Sequence, residues 1–496
     1  MSKSETETET ETETEPESES GTGTGTQSTD RVDPAATPGA HVAGTRVAEA
    51  QVPGVQVAGA YVADAQVPGG HVPDTATLAV MAETQAPWAA RDALRITSVR
   101  AIVTAPGGVP LVVVRVDTSE PGLYGLGCAT FTQRFHAVVS AVEEHLAPMV
   151  IGRHPADIED IFRLLHYSSY WRGGPVHNNA LSGIDQALWD IAGKRLGVPV
   201  YELLGGRVRG GAAVYTGARG GSIEESIERV AALAEQGYRY VRLQSGGPGL
   251  GTYGADGTPG GYPSAPYPDG WDVGHYLRTA PRLFERAREV LGDELGLLHD
   301  AHNRLTPKEA VGLARSLEPY GLFFLEDPLA PEHFDRLPEV RAAAPMPIAS
   351  GELLTSMTDA TRLITSGGVD YLRVHVSAVG GLTPARKLAT LCELTGVRTA
   401  WHGPPDVSPI GAAVNVTLDV TSPAFGIQEQ HVYPERVHEV FPGTLRTVDG
   451  YLTPSDRPGW GIDLDEAAAA KYPPRTHLHE RWAARVRRPD GGLEAP

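Results

Sequence analysis

From Leu94 onward, short apolar runs rich in β-branched residues alternate with stretches of helical spacing. Residues 96–103 and 111–116 are two such runs, separated by the turn signal Pro106-Gly107-Gly108, and they predict two strands of a hairpin or meander. Between 136 and 146, Val138, Val142 and Leu146 share one face, and the apolar spacing of 178–194 is also helical. Strands followed by helices predict a small α+β domain over residues 91–208.

Beyond Gly205-Gly206 the rhythm changes. Eight apolar runs recur, at 212–215, 240–243, 295–298, 322–325, 348–349, 371–374, 398–401 and 425–427. Helical patterns lie between several of them. Ser222 is placed to cap residues 223–234, with Glu224 and Glu225 in the first turn, and Thr306-Pro307 opens a helix running to Ser316. Eight strand-helix units predict an α/β fold, a modified (β/α)8 TIM barrel over residues 209–450. A Gly/Pro/Tyr-rich insert between Ser245 and Gly270 follows the second strand, on the face where barrels build their active sites. Residues 451–496 are expected to return to the N-terminal α+β capping domain.

Charge sharpens the boundary at the other end. Of the net −19, residues 1–90 carry −11, with 14 Asp and Glu against 3 Lys and Arg. Glu alternates with Ser, Thr or Pro from residue 4 to 20, and Val47-Ala-Glu-Ala-Gln-Val-Pro-Gly54 returns as Val62-Ala-Asp-Ala-Gln-Val-Pro-Gly69. Such a segment repels itself and has little to bury, so residues 1–90 are expected to be a disordered acidic tail and linker, with a partner-binding arm as the alternative. The remaining 47 acids and 39 bases give no basic surface for a polyanion, so nucleic acid is not an expected partner. No window holds the roughly 18–20 apolar residues of a membrane span, and two isolated cysteines, Cys128 and Cys392, make no disulfide framework. A soluble cytoplasmic protein is expected.

Chemistry enters where the strands end. Asp300, Glu326 and Glu352 each terminate an apolar run, with spacings of 26 residues between successive acids. Neighbouring barrel strands lie roughly 5 Å apart, so three acids in register converge, and their repulsion calls for a hard divalent cation. The donor set is all oxygen, which favours Mg2+ over zinc. Arg242, His302, Arg373, His402 and Glu429 close other strands of the same barrel. Each alone is as compatible with a structural role, but together they describe a catalytic floor.

At these residues the chain resembles the enolase superfamily and, within it, the D-mannonate dehydratase-like group that includes starvation-sensing proteins. The matching stretches are Tyr170-Trp-Arg-Gly-Gly-Pro175, Leu181-Ser-Gly-Ile-Asp-Gln-Ala-Leu-Trp-Asp190, Leu203-Leu-Gly-Gly-Arg207, His299-Asp-Ala-His302, Leu325-Glu-Asp-Pro328, Ser350-Gly-Glu352, His402-Gly-Pro404 and Gly426-Ile-Gln-Glu429. The resemblance implies Mg2+ on Asp300, Glu326 and Glu352, and removal of the proton α to a sugar-acid carboxylate. It implies Tyr253, held by Arg242, as the base and His302 as the acid that releases the 3-hydroxyl. Arg373, His402, Glu429, Asp406 and Thr132 fall in its substrate-binding set, and a homo-oligomer is usual. D-mannonate is the implied substrate, with D-gluconate beside it, and the product a 2-keto-3-deoxy acid. Three positions depart from the pattern: Thr132 replaces an Asn, Thr361 stands where Lys is common, and no aromatic closes the C-terminus. A different aldonate, or a sugar-acid-binding regulatory protein without turnover, are therefore the alternatives.

Overall fold

The computed structural model describes residues 92–246, 250, 270–474 and 487–493. The tail of residues 1–90, most of the 245–270 insert and Tyr253 lie outside the described residues.

Strands β1 (Ile96–Thr104), β2 (Leu111–Thr118) and β3 (Tyr124–Cys128) form an antiparallel meander. The first two are the β-branched runs of the sequence. The third, Tyr-Gly-Leu-Gly-Cys, carries no such signal because its glycines serve packing instead. A Cβ on Gly125 would lie 1.9 Å from the Ala187 carbonyl oxygen, and one on Gly127 2.0 Å from that of Gly183. Only glycine lets β3 approach the helix Pro175–Leu196 this closely. Val112, Val114 and Val116 then bury against Val138, Val142, Ile184 and Leu188 to make the core of this domain.

Seven of the eight later runs overlap parallel strands and the eighth, 425–427, leads directly into one: β4 (Ala212–Gly220), β5 (Tyr240–Ser245), β6 (Gly296–Asp300), β7 (Leu325–Glu326), β8 (Ile348–Ser350), β9 (Tyr371–Leu372), β10 (Arg398–Thr399) and β11 (Gln428–Glu429). They pair in chain order from β4 to β10, and β11 pairs with β4. A parallel bridge between Thr399 and Phe425 brings the two ends of this sheet together, so the ring is nearly closed, as the sequence predicted. The capping signals also hold: Ser222 Oγ accepts from Glu225 N, and Thr306 and Glu309 form a reciprocal capping box. β12 (Tyr451–Leu452) adds antiparallel to β4. The chain then crosses to the meander, where Trp460 Nε1 donates to the Leu126 and Gln186 carbonyls at 3.1 and 3.2 Å and Glu466 pairs with Arg100 and Arg115.

Alternation along each strand gives the barrel interior two layers. Tyr215, Leu298, Phe324, Ala349, Ala400 and Ile427 form an apolar cluster, with Tyr240, Phe323 and Tyr371 packed against it. Two residues further along six of the strands stand Arg242, Asp300, Glu326, Arg373, His402 and Glu429. The N-terminal domain reaches the loops above this charged layer. Asn178 Nδ2 donates to the carbonyls of Thr355 and Ala378, at 2.6 and 2.7 Å, and Asp185 Oδ2 accepts from Thr383 N at the start of the helix Leu382–Thr395.

Candidate active site

Asp300 closes β6 and Glu326 closes β7, and they face each other in the parallel register. Both are fully buried. Glu352 follows β8 by two residues, after Gly351, whose φ of +129° is a conformation that favours glycine. The spacing of the acids therefore brings them to one end of the barrel, but unevenly. Carboxylate oxygens of Asp300, Glu326 and Asp327 lie within 4.8 Å of one another. Glu352 instead has Oε2 3.2 Å from His402 Nε2, while its Oε1 accepts from Asn303 Nδ2 at 3.1 Å.

Asp327 escaped the strand-end pattern because it follows another acid in Leu325-Glu-Asp-Pro328. Its oxygens are already engaged. Oδ1 accepts from Ser350 Oγ at 2.8 Å and Gly351 N at 3.0 Å, and Oδ2 pairs with Arg373 Nε at 3.1 Å.

Two guanidinium groups thread the acids. Arg242 Nη1 lies 2.6 Å from Glu326 and 2.8 Å from Glu429. Arg373 Nη2 lies 2.6 Å from Glu326, 3.3 Å from Glu429 and 3.4 Å from Glu352. Arg373 Nη1 donates to Tyr215 Oη, which donates to Glu326 Oε2 at 3.1 Å. Tyr215 was hidden in a run counted only as a strand; inward alternation on β4 is the signal that would have found it.

Burial sets the electrostatics. It pushes Glu326 up to about 8 against the pull of Arg242 and Arg373, and with Asp327 and Asp300 it drives Glu352 well above the carboxylate range. For Glu429 burial is outweighed by Arg242 and Arg373, which hold it below that range. Five carboxylates against two guanidiniums leave a low-dielectric site with excess negative charge. An all-oxygen donor set with that excess fits a hard divalent cation such as Mg2+.

Three histidines complete the upper layer. His302 N donates to Asp300 Oδ1 at 2.7 Å, and its Nε2 lies 3.9 Å from Glu352. Burial pushes this ring down to about 4 and His402 well below the usual imidazole range. His302, Asn303 and Asp327 all have positive φ, at 53°, 63° and 41°, so backbone strain gathers at these strand ends. His375, unremarked in the sequence, sits two residues beyond Arg373 with Nδ1 3.2 Å from His402 Nδ1.

Eight of the sequence candidates thus meet: Arg242, Asp300, His302, Glu326, Glu352, Arg373, His402 and Glu429. Asp406 lies at their edge, near enough for its charge to act on His375. Thr132 is buried in the N-terminal domain, where its hydroxyl donates to the Pro110 carbonyl at 3.0 Å. Tyr253 is outside the described residues.

A barrel with acids on successive strand ends under an α+β domain defines a class, and comparison with known proteins agrees. Residues 225–468 match the enolase C-terminal domain-like family, and residues 89–205 match the N-terminal domain of the mandelate racemase / muconate lactonizing enzyme family. The chain belongs to the enolase superfamily, as a dehydratase of its D-galactonate dehydratase family. A member of that family from Catenulispora acidiphila is 67% identical over 414 residues, covering 84% of this chain and 96% of its own. One from Pantoea ananatis is 48% identical, covering 81% and 99%. Among solved structures, an enolase from Pantoea ananatis with bound D-gluconate and Mg superposes with a TM-score of 0.76 at 47% identity, covering 81% of this chain and all of that one. An enolase from Agrobacterium radiobacter with bound Na and L-malate gives 0.65 at 28%, covering 76% and 95%. Among the described residues no helix is long and apolar enough to cross a membrane.

Proposed function

We propose that this protein is a Mg2+-dependent dehydratase of an aldonate, with D-mannonate and D-gluconate as first candidates, giving a 2-keto-3-deoxy acid. The observation that carries it is the cluster of strand-end acids with Arg242, Arg373 and His302 around it. The D-gluconate and Mg bound by the Pantoea ananatis relative support the same substrate class and metal.

Asp300, Glu326 and Glu352, the acids at three successive strand ends, would hold the ion, and Asp327, bonded to Arg373, Ser350 and Gly351, would brace them. An Mg2+ ion held by these residues would supply Lewis-acid polarisation of the substrate carboxylate, which makes the proton α to it more acidic. Tyr253 takes that proton, and the Arg242 guanidinium favours the tyrosinate that does so. His302 passes a proton to the departing 3-hydroxyl, which leaves as water; the negative charge of the substrate offsets the burial that holds this ring neutral. The enol that remains becomes the 2-keto-3-deoxy acid. Arg373, His402 and Glu429 grip carboxylate and hydroxyl groups, with Asp406 at the edge. Thr132, tied to Pro110, offers a different contact from the Asn it replaces, which favours testing several aldonates.

The buried free thiols of Cys128 and Cys392 suit a reducing cytoplasm, and the exposed Tyr170 and Trp171 suit contact with a second copy. The test is Mg2+-dependent release of 2-keto-3-deoxy acid from a panel of aldonates, with Tyr253→Phe alongside. Product from D-mannonate or D-gluconate that disappears in Tyr253→Phe is expected. No product from any member of the panel would refute the proposal.

A further inference from the structure

His375 has no part in the reaction described above, yet it is nearly buried at the charged mouth of the barrel, beside a residue that does. Its ring lies 5.4 Å from that of His402 at an interplanar angle of 65°, with the two Nδ1 atoms 3.2 Å apart. Two imidazoles meeting nitrogen to nitrogen must divide the roles, one donating and one accepting. The other nitrogen of His402 decides which. His402 Nε2 faces Glu352 Oε2 at 3.2 Å, and Glu352 also receives Asn303 Nδ2 on Oε1 and Arg373 Nη2 on Oε2. With a cation bound, Glu352 is the ionised carboxylate and, already receiving Asn303 and Arg373, has only lone pairs to offer, so in the loaded protein His402 must bring the proton on Nε2. His402 Nδ1 is then the acceptor, and His375 Nδ1–H the donor.

The geometry points to His375 as a positioning residue that holds His402 in its Nε2–H tautomer, aimed at Glu352 and the substrate. This inference rests on the proposed role of His402 in gripping a sugar acid. The fold supports it, because the chain just after His375 is clamped from above. Ser377 Oγ donates to the Cys128 carbonyl at 3.3 Å, Gln186 Nε2 donates to Ser377 Oγ at 3.4 Å, and Asn178 Nδ2 donates to the Ala378 carbonyl at 2.7 Å. The N-terminal domain thus fixes the loop that fixes the histidine. A surface histidine would need no such frame.

Isosteres separate tautomer control from simple packing. Asparagine places an amide N–H near the position of Nδ1, glutamine places one near Nε2, and leucine supplies neither. His375→Leu is expected to lower kcat/KM by about tenfold or more, the scale of a lost buried hydrogen bond. His375→Asn should recover most of that loss, whereas His375→Gln should not. Folding of each variant is checked by Tm and by Mg2+ binding. Independently of turnover, proton–nitrogen NMR of the Mg2+-loaded protein labelled with 15N-histidine should show His402 protonated on Nε2 in the wild type and in His375→Asn, and losing that preference in His375→Leu. A His402 proton on Nδ1, or equal rescue by Gln and Asn, would overturn the assignment. If the wild type turned over no aldonate, the functional proposal would fail while the NMR result still decided the tautomer.

Discussion

The two layers inside the barrel are built from the same strands, two residues apart, yet they obey opposite rules. The lower layer is apolar, with Tyr240 and Phe323 rings 4.8 Å apart and Phe324 and Tyr371 5.3 Å apart, and it gains stability by excluding water. The upper layer buries acids and arginines, which costs desolvation that mutual pairing offsets and that, on the proposed function, a cation offsets further. Stability is made at the floor, and chemistry is concentrated above it, where the chain spends that stability.

Substitutions in each layer should separate these roles. The largest effect is expected from Glu326→Gln, which removes a proposed metal ligand and the acid that pairs with both arginines. Turnover should fall by about 10³-fold or more, since a lost metal contact withdraws several kcal/mol of transition-state stabilisation. Steady-state assays at saturating Mg2+ would measure it, and retained turnover would erase the contrast between layers. Arg373→Met should follow, because it strips pairing from Glu326, Asp327 and Glu352 at once. Removing one partner of a buried ion pair costs about 3–5 kcal/mol, so both Tm and activity should drop. Phe324→Ala, in the floor, should lower Tm through a cavity worth about 3 kcal/mol or more, while the kcat of the folded fraction stays near the wild-type value. The smallest effect is expected at the surface. Arg446→Ala breaks an exposed pair with Glu435 at 2.8 Å and should change stability by less than about 1 kcal/mol.

Layering also explains what could be read from the chain. The barrel was legible because seven of the eight strands repeat one unit, an apolar run with an ionisable residue at its end. The 26-residue interval from Asp300 to Glu326 to Glu352 is that repeat seen three times. β3 was not legible, since Gly125 and Gly127 answer to the backbone of a helix some 60 positions away, at Gly183 and Ala187, rather than to strand propensity. Nor was the unequal placement of the acids. Nothing local tells Glu352 to face His402, or Asp327 to tie itself to Arg373, Ser350 and Gly351. His375 was readable in principle from its two-residue step beyond Arg373, but its meaning depends on His402, on another strand.

On the proposed function, the upper layer is organised around a cation held by Asp300, Glu326 and Glu352, with Asp327 as a brace. Calorimetric titration of Mg2+ into chelator-treated wild type, Glu352→Gln and Asp327→Asn tests it most directly. One Mg2+ is expected to bind the wild type and Asp327→Asn, and binding should be lost in Glu352→Gln. Absence of binding to the wild type, or loss in Asp327→Asn with Glu352→Gln unaffected, would contradict it.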